Sequence, residues 1–179
     1  MRIYLIRHGR TTAGKIILDQ KLDPPLLNNQ SPPQYLVDQS FDKIYCSPLL
    51  RTVETAELLT EKRNIEIHQG LIEMDLGSIS GKPYTLKTFL ALAYLKITNT
   101  TRFHSEDQEL FIQRCQTTFD QIVNTALENK FENIAIVTHN GVLLALLRNH
   151  LSLLPWYKFK VGYLEPIVLE YDSAEFRKI

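Results

Sequence analysis

Ile3-Tyr4-Leu5-Ile6-Arg7-His8-Gly9-Arg10-Thr11 is a run of β-branched and aromatic residues that breaks off at Arg-His-Gly. Apolar character without alternation, ended by a turn signal, predicts a strand buried on both faces. In an open α/β sheet, ligands bind in the crevice beyond the carboxyl ends of the strands, so a basic pair at that point faces a site rather than bulk solvent. Arg7 offers a planar fork of donors to a phosphate or carboxylate, His8 can act as base or nucleophile, and Gly9 lets the backbone turn closely around a ligand. The competing reading is a strand end with solvated basic residues, and the rest of the chain decides between the two.

A chain of 179 residues favours one domain with a substantial core. With 44% hydrophobic and 22% charged residues its usage is that of a globular protein, not of a disordered or fibrous one. The 20 basic and 20 acidic residues cancel to a net charge of +0. A nucleic-acid binder usually carries a basic field, so no nucleic-acid partner is expected and any anion site must be a local cluster. Cys46 and Cys115 are the only cysteines, and Cys46 falls in a predicted buried strand. Reduced packing thiols fit better than a disulfide framework, which points to a cytoplasmic location. No secretory h-region opens the chain, and apolar runs such as 89–95 and 142–147 fall far short of the roughly 18 residues of a membrane span. No membrane partner is expected.

Residues 11–34 hold Gly14, Pro24, Pro25, Asn28, Asn29, Pro32 and Pro33, the turn chemistry of a long loop, and loops of that length are usually functional or mobile. A short helix at 34–39 and a short buried strand at 42–46 follow. Ser47 as N-cap and Pro48 at the first helical position then open a helix whose Leu50, Val53, Ala56 and Leu59 recur at helical spacing, which places Arg51 in the first turn. Residues 65–67 read as a third strand, and 71–81 as a loop with two glycines and two carboxylates, Glu73 and Asp75. The 84–97 stretch is a helix apolar on nearly all sides, to be covered by core, ligand or partner. Ser105 is expected to cap a helix running from Glu106 to about Asn129, with Leu110, Ile112, Phe119, Ile122 and Val123 on its buried face. A fourth strand at 134–137 ends at Thr138-His139-Asn140-Gly141, and a helix at 142–151 comes next. The last strand, 167–171, is expected at a sheet edge because Pro166 cannot donate to a ladder. Strands alternating with helices predict the α/β class, a three-layer α/β/α sandwich with a largely parallel central sheet and no internal repeat.

Three predicted strands thus deliver Arg7-His8-Gly9, Ser47-Pro48-Leu49-Leu50-Arg51-Thr52 and Thr138-His139-Asn140-Gly141 at their carboxyl ends. Two arginines, two histidines and the N–H groups of a helix N-terminus suit a dianionic phosphate. With these motifs, and with the acid loop Leu71-Ile72-Glu73-Met74-Asp75-Leu76-Gly77 that closes at Gly81, the chain resembles the histidine phosphatase superfamily, the phosphoglycerate mutase-like proteins. The resemblance implies one phosphoglycerate mutase-like domain over 1–179 with a helical or loop cap at about 82–105. It implies a metal-independent phosphomonoester hydrolase that needs no cofactor and takes a small-molecule substrate, with α-ribazole phosphate and sugar phosphates as candidates. Size and loop grammar are closest to the bacterial α-ribazole-phosphatase-like members.

The resemblance also implies roles. His8 would attack phosphorus to give a phosphohistidine, which requires a neutral imidazole held in one tautomer through its other nitrogen. Arg7, Arg51 and His139 would bind the nonbridging oxygens, with Thr11, Asn140 and Gly141 completing the substrate-binding set. Glu73 would protonate the leaving alcohol and then activate water, and Asp75 would serve as a loop acceptor. A metal held by His8 and His139 is the rival reading, but no second ligand stands nearby at metal spacing and the paired arginines would repel a cation. His68, His104 and His150 lack a motif and are expected to be solvated or locally hydrogen-bonded, with His104 also a candidate to line the site. Arg148 is expected on a solvated helix face, and Arg102 is a candidate substrate contact. The chain departs from the family in three places: Gly14 stands where many members have Asn, Asp23-Pro24-Pro25-Leu26 leads into a short first helix, and no glycines precede Ser105-Glu106. The alternatives are mutase-type phosphotransfer and a catalytically idle phosphate-binding module. Only 82–105 are available to close the pocket around a retained intermediate, which favours hydrolysis. Oligomeric state is left open.

Overall fold

In β1 (Arg2–Arg7), Ile3 and Leu5 turn to one face and Tyr4 and Ile6 to the other, and all four are buried. The same double burial in β4 (Asn133–Thr138) and β2 (Lys43–Cys46) forces a layer of helices onto each side of the sheet. The structure, a computed structural model, describes residues 1–60, 64–98, 103–153, 161–172 and 175–179. One layer is α4 (Gln108–Glu128) with α5 (Asn140–Leu144), which widens into a π-helical turn over Ala145–His150. Phe119, Ile122, Val142 and Leu143 of this layer pack on Ile3, Leu5, Ile134 and Ile136. The opposite layer is α1 (Gln34–Val37) and α2 (Leu50–Glu57), where Leu36 and Ala56 meet Tyr4, Ile6, Ala135 and Val137. Each large side chain removed from water here contributes about 1.5–3 kcal/mol. The fold is therefore the expected three-layer α/β sandwich.

With β3 (Ile65–Ile67), β5 (Pro166–Asp172) and β6 (Glu175–Lys178), the strand order is β3-β2-β4-β1-β5-β6. β3, β2, β4 and β1 run parallel, while β5 is antiparallel to both β1 and β6. β5 is thus interior, contrary to the expectation of an edge. Pro166 pairs only with Ile6, and β6 covers just Leu169 to Asp172, so the proline ring nitrogen lies outside the β5–β6 ladder.

Helix starts differ from expectation for one recurrent reason, a carboxylate that competes better for the free N–H groups. α2 begins at Leu50, not at Ser47-Pro48, and Asp23 from the long loop accepts from Leu50 N–H at 2.6 Å. α4 is capped by Asp107, not Ser105, through Glu109 N–H at 2.9 Å and Leu110 N–H at 3.1 Å. Leu110 is 62% exposed, and Phe111 and Cys115 take the buried face instead. α3 (Leu86–Thr98) spans the apolar stretch; Ala91 and Leu92 pack on Ile17 and Ile79, while Leu86 and Leu90 face water. The long loop is sewn down by buried Asp19, whose Oδ1 accepts from Ser80 Oγ at 2.6 Å and whose Oδ2 accepts from Leu76 N–H at 3.2 Å. Among the described residues no helix is long and apolar enough to cross a membrane.

Candidate active site

Adjacent parallel strands end level with one another, and this places the site. Arg7 lies opposite Thr138 and Cys46 opposite Val137, so His8, His139 and Ser47 emerge side by side from β1, β4 and β2. His8 N–H donates to Thr138 O at 2.9 Å and Ser47 N–H to Val137 O at 3.1 Å, which carries the ladder one residue past each strand. The two imidazoles then stand 5.2 Å apart, centre to centre.

His8 is buried, and its Nδ1 donates to the Gly9 carbonyl at 2.7 Å. A carbonyl can only accept, so the proton sits on Nδ1 and the Nε2 lone pair is free. Burial, then the charges of Arg51 and Arg7, push the imidazole pKa down to about 3, so the ring is neutral. His139, fully buried, is held well below its usual range by burial and then by His8, Arg51 and Arg7. Its Nε2 lies 2.7 Å from Ser47 Oγ, and its Nδ1 has no partner.

Arg51 is also fully buried and is anchored through backbone oxygens, with Nη1 donating to Leu22 O at 2.7 Å and Nη2 to Asp19 O at 3.0 Å. Arg7 donates from Nη1 to Val161 O at 2.8 Å, and its guanidinium lies 3.9 Å from the centre of the Tyr163 ring. Burial lowers the pKa of both arginines, and the Glu73 carboxylate is among the charges that counter it in each case. The Nε atoms of Arg7 and Arg51 are buried and have no partner.

Glu73 reaches this cluster from the acid loop. Its Oε1 accepts from Met74 N–H and its Oε2 from Gly141 N–H, both at 3.0 Å. A Cβ on residue 141 would stand 2.2 Å from Glu73 Oε1, so glycine is what admits the carboxylate. Asp75 is occupied elsewhere: Lys21 Nζ lies 2.9 Å from its Oδ1 and Gly77 N–H donates to the same atom at 2.7 Å. Burial would raise the Asp75 pKa, but Lys21 and the Gly77 N–H hold it below the usual carboxylate range.

Five expected residues, Arg7, His8, Arg51, Glu73 and His139, are thus brought together. The other three lie around them. Thr11 is buried in an isolated bridge to Leu26, Asn140 Oδ1 accepts from Val161 N–H at 2.8 Å, and the Gly141 N–H goes to Glu73. His68 and His150 are locally bonded, to Glu66 at 2.9 Å and to Asp120 at 2.8 Å, and His104 is exposed. Arg148 is half-buried rather than on a solvated face, because the π-helical turn breaks the phase that the α-helical count assumed. Arg102 lies outside the described residues. Among the described residues no group of three or more His, Cys, Asp or Glu is placed to hold a metal ion.

Sequence reasoning missed the supports. Arg114 donates to Gly70 O at 2.9 Å, Ile72 O at 2.8 Å and Glu73 O at 3.3 Å, and is itself gripped by Glu106 at 2.8 and 3.0 Å. Glu106 also accepts from Asp75 N–H at 3.2 Å. The signal for Arg114 was its helical phase: it sits three residues after Phe111 and four before Thr118, both buried. Tyr163, 5.7 Å from the His8 ring, had no local signal.

The chain matches the model of the histidine phosphatase superfamily (branch 1) over residues 3–178, and it belongs to that family. Similar solved structures include an α-ribazole phosphatase from Shigella flexneri, 24% identical with a TM-score of 0.75, over 100% of this chain and 95% of that one. A mycobacterial glucosyl-3-phosphoglycerate phosphatase in complex with VO3 is 22% identical with a TM-score of 0.79, over 99% and 96%. A phosphoglycerate mutase from Bacillus anthracis is 20% identical with a TM-score of 0.77, over 100% and 91%. No curated protein sequence matches.

Proposed function

We propose that the chain hydrolyses a small phosphomonoester without a metal, through a phosphohistidine on His8. The neutral, tautomer-fixed imidazole of His8 carries this reading. Its Nε2 lone pair stands beside two buried donors with no protein acceptor, Arg7 Nε and Arg51 Nε, and the buried, unpartnered Nδ1 of His139. An unmet buried donor costs about 1–3 kcal/mol. A dianionic phosphoryl group would satisfy several at once, and its charge would offset the crowding of cations.

In this mechanism Nε2 attacks phosphorus in line, the bond to the leaving oxygen breaks, and Glu73 gives that oxygen its proton. Arg7, Arg51 and His139 hold the nonbridging oxygens as charge moves between the two apical atoms. Glu73, now a carboxylate, takes a proton from water, whose oxygen displaces His8 and releases inorganic phosphate. Thr11 is the proposed contact from the long loop, while Asn140 and Gly141 act through the Val161 segment and Glu73 that they hold. The Glu73 carboxylate offsets the burial of the two arginines but repels a bound phosphate, and the role of proton carrier accounts for it better than pure phosphate binding does. In the segment at about 82–105, α3 serves as the cap; residues 99–102 of it lie outside the described residues. The site of action is the cytoplasm, where Cys46 and Cys115 remain buried free thiols whose pKa burial pushes up to about 12.

Rapid quench with a 32P-labelled ester should trap an acid-labile, base-stable adduct on the wild-type protein, and His8→Ala should give neither adduct nor turnover while staying folded. Near wild-type turnover by His8→Ala would remove the covalent mechanism.

A further inference from the structure

Beside Glu73 lies a half-enclosed cavity of about 60 Å3. Its walls are Met74 and Leu76 of the acid loop, Leu92 of α3, Phe111 of α4 and Leu144 of α5, with Gly141 at one end. Met74 and Gly141 are also the two residues whose N–H groups hold the Glu73 carboxylate, so cavity and proton donor share a wall. The oxygen that Glu73 protonates is the leaving oxygen, and the carbon skeleton it carries must continue past the carboxyl group. We propose that this cavity receives the leaving group, and that the substrate is the phosphomonoester of an apolar alkyl or aryl alcohol. This rests on the phosphatase reading above and narrows its substrate class.

Size and chemistry both set the choice. One water needs roughly 10–15 Å3 by the same measure, so the cavity suits a short chain or ring of about five heavy atoms. A hydroxyl placed there would give up its water and meet thioether, methyl and ring carbon instead. Two wall residues are polar: Gln108 and Arg148 have interactions of their own, while Gln108 Oε1 and Arg148 Nε are buried with no hydrogen-bond partner; the other eight wall residues are apolar or glycine. Binding energy at this end of the substrate comes chiefly from apolar burial, and polyhydroxylated alcohols are selected against.

The test is a matched pair of esters, n-butyl phosphate and glycerol 1-phosphate, which are both primary and nearly equal in size. The specificity constant for the butyl ester should exceed that for the glycerol ester at least tenfold. Leu92→Asn should narrow this ratio severalfold, mainly through KM for the butyl ester. Equal or better hydrolysis of glycerol 1-phosphate, or a ratio unmoved by Leu92→Asn, overturns the proposed substrate class and leaves the phosphatase reading standing. Failure to release phosphate from either ester or from p-nitrophenyl phosphate removes the reading itself, and the substrate class with it.

Discussion

Replacing Gly141 by Ala isolates the placement of Glu73 from everything else in the site. The added methyl would lie 2.2 Å from Glu73 Oε1 and 3.1 Å from Cδ, and an ordinary contact needs about 3.4 Å. The carboxyl group must therefore shift by about 1 Å, and the Gly141 N–H bond to Oε2 is lost or bent as it moves. A displacement of that size at a reacting group costs about a hundredfold in rate. The backbone itself has no objection: residue 141 lies in α5, its φ is not positive, and alanine is favoured over glycine inside a helix by about 1 kcal/mol. We expect kcat on p-nitrophenyl phosphate to fall about a hundredfold, with KM little changed because Arg7, Arg51 and His139 are untouched. Urea unfolding should show stability within about 1 kcal/mol of wild type. A folded Gly141→Ala protein with wild-type kcat would mean that Glu73 is not the proton carrier, or that its position is immaterial.

Other outcomes follow from the same geometry. Glu73→Gln should depress kcat at neutral pH by about 10²–10⁴-fold, whereas Asp75→Asn, which loosens only the Lys21 and Gly77 contacts, should cost much less; the reverse ranking in steady-state assays would transfer the acid role to Asp75. Arg114→Gln removes the grip on Gly70, Ile72 and Glu73, so kcat should drop while vanadate binding, which uses the arginines and histidines, is retained; parallel loss of both would show general unfolding instead. Acid should weaken the fold through the histidines. His8 has a folded-state pKa of about 3 against 6.5 unfolded, so its stabilising contribution is complete above pH 6.5 and is lost as pH falls toward 3, about 2–3 kcal/mol of it by pH 4.5. Urea unfolding of His8→Asn at pH 7 and 4.5 should show a correspondingly smaller acid loss, and an unchanged loss would place the proton elsewhere.

The sheet was readable where one principle acted alone. Ile3 to Ile6 and Ile134 to Val137 are buried on both faces, and an unbroken apolar run says so without knowledge of their neighbours. The clustering of Arg7, His8 and His139 was readable because each stands at the carboxyl end of a buried parallel strand, and the register of β1, β4 and β2 brings those ends level. β6 was missed because Glu175, Arg177 and Lys178 carry the charge that protects an edge from further pairing, and that charge masks the strand pattern. The cap of α2 was misread for a different reason. Ser47 stands where an N-cap should, but its oxygen lies 2.7 Å from His139 Nε2, and Asp23, 27 residues before Leu50, takes the helix N–H groups.

Long-range support is the part a local pattern cannot express. Arg114 meets Gly70 at a separation of 44 residues and Arg7 meets Val161 at 154. Each partner is a backbone carbonyl, which any residue type supplies, so no signature marks it. The donor can still be found, because a half-buried guanidinium that shares a helix face with Phe111, Cys115 and Thr118 must find acceptors for most of its five N–H groups within the protein. A charged residue in phase with a buried face is thus an unpaid desolvation cost in the sequence, and at Arg114 the acid loop carrying Glu73 is what it settles on. The Glu73 carboxylate is positioned from behind by that demand and from in front by Gly141, and only the second of these lies inside a motif.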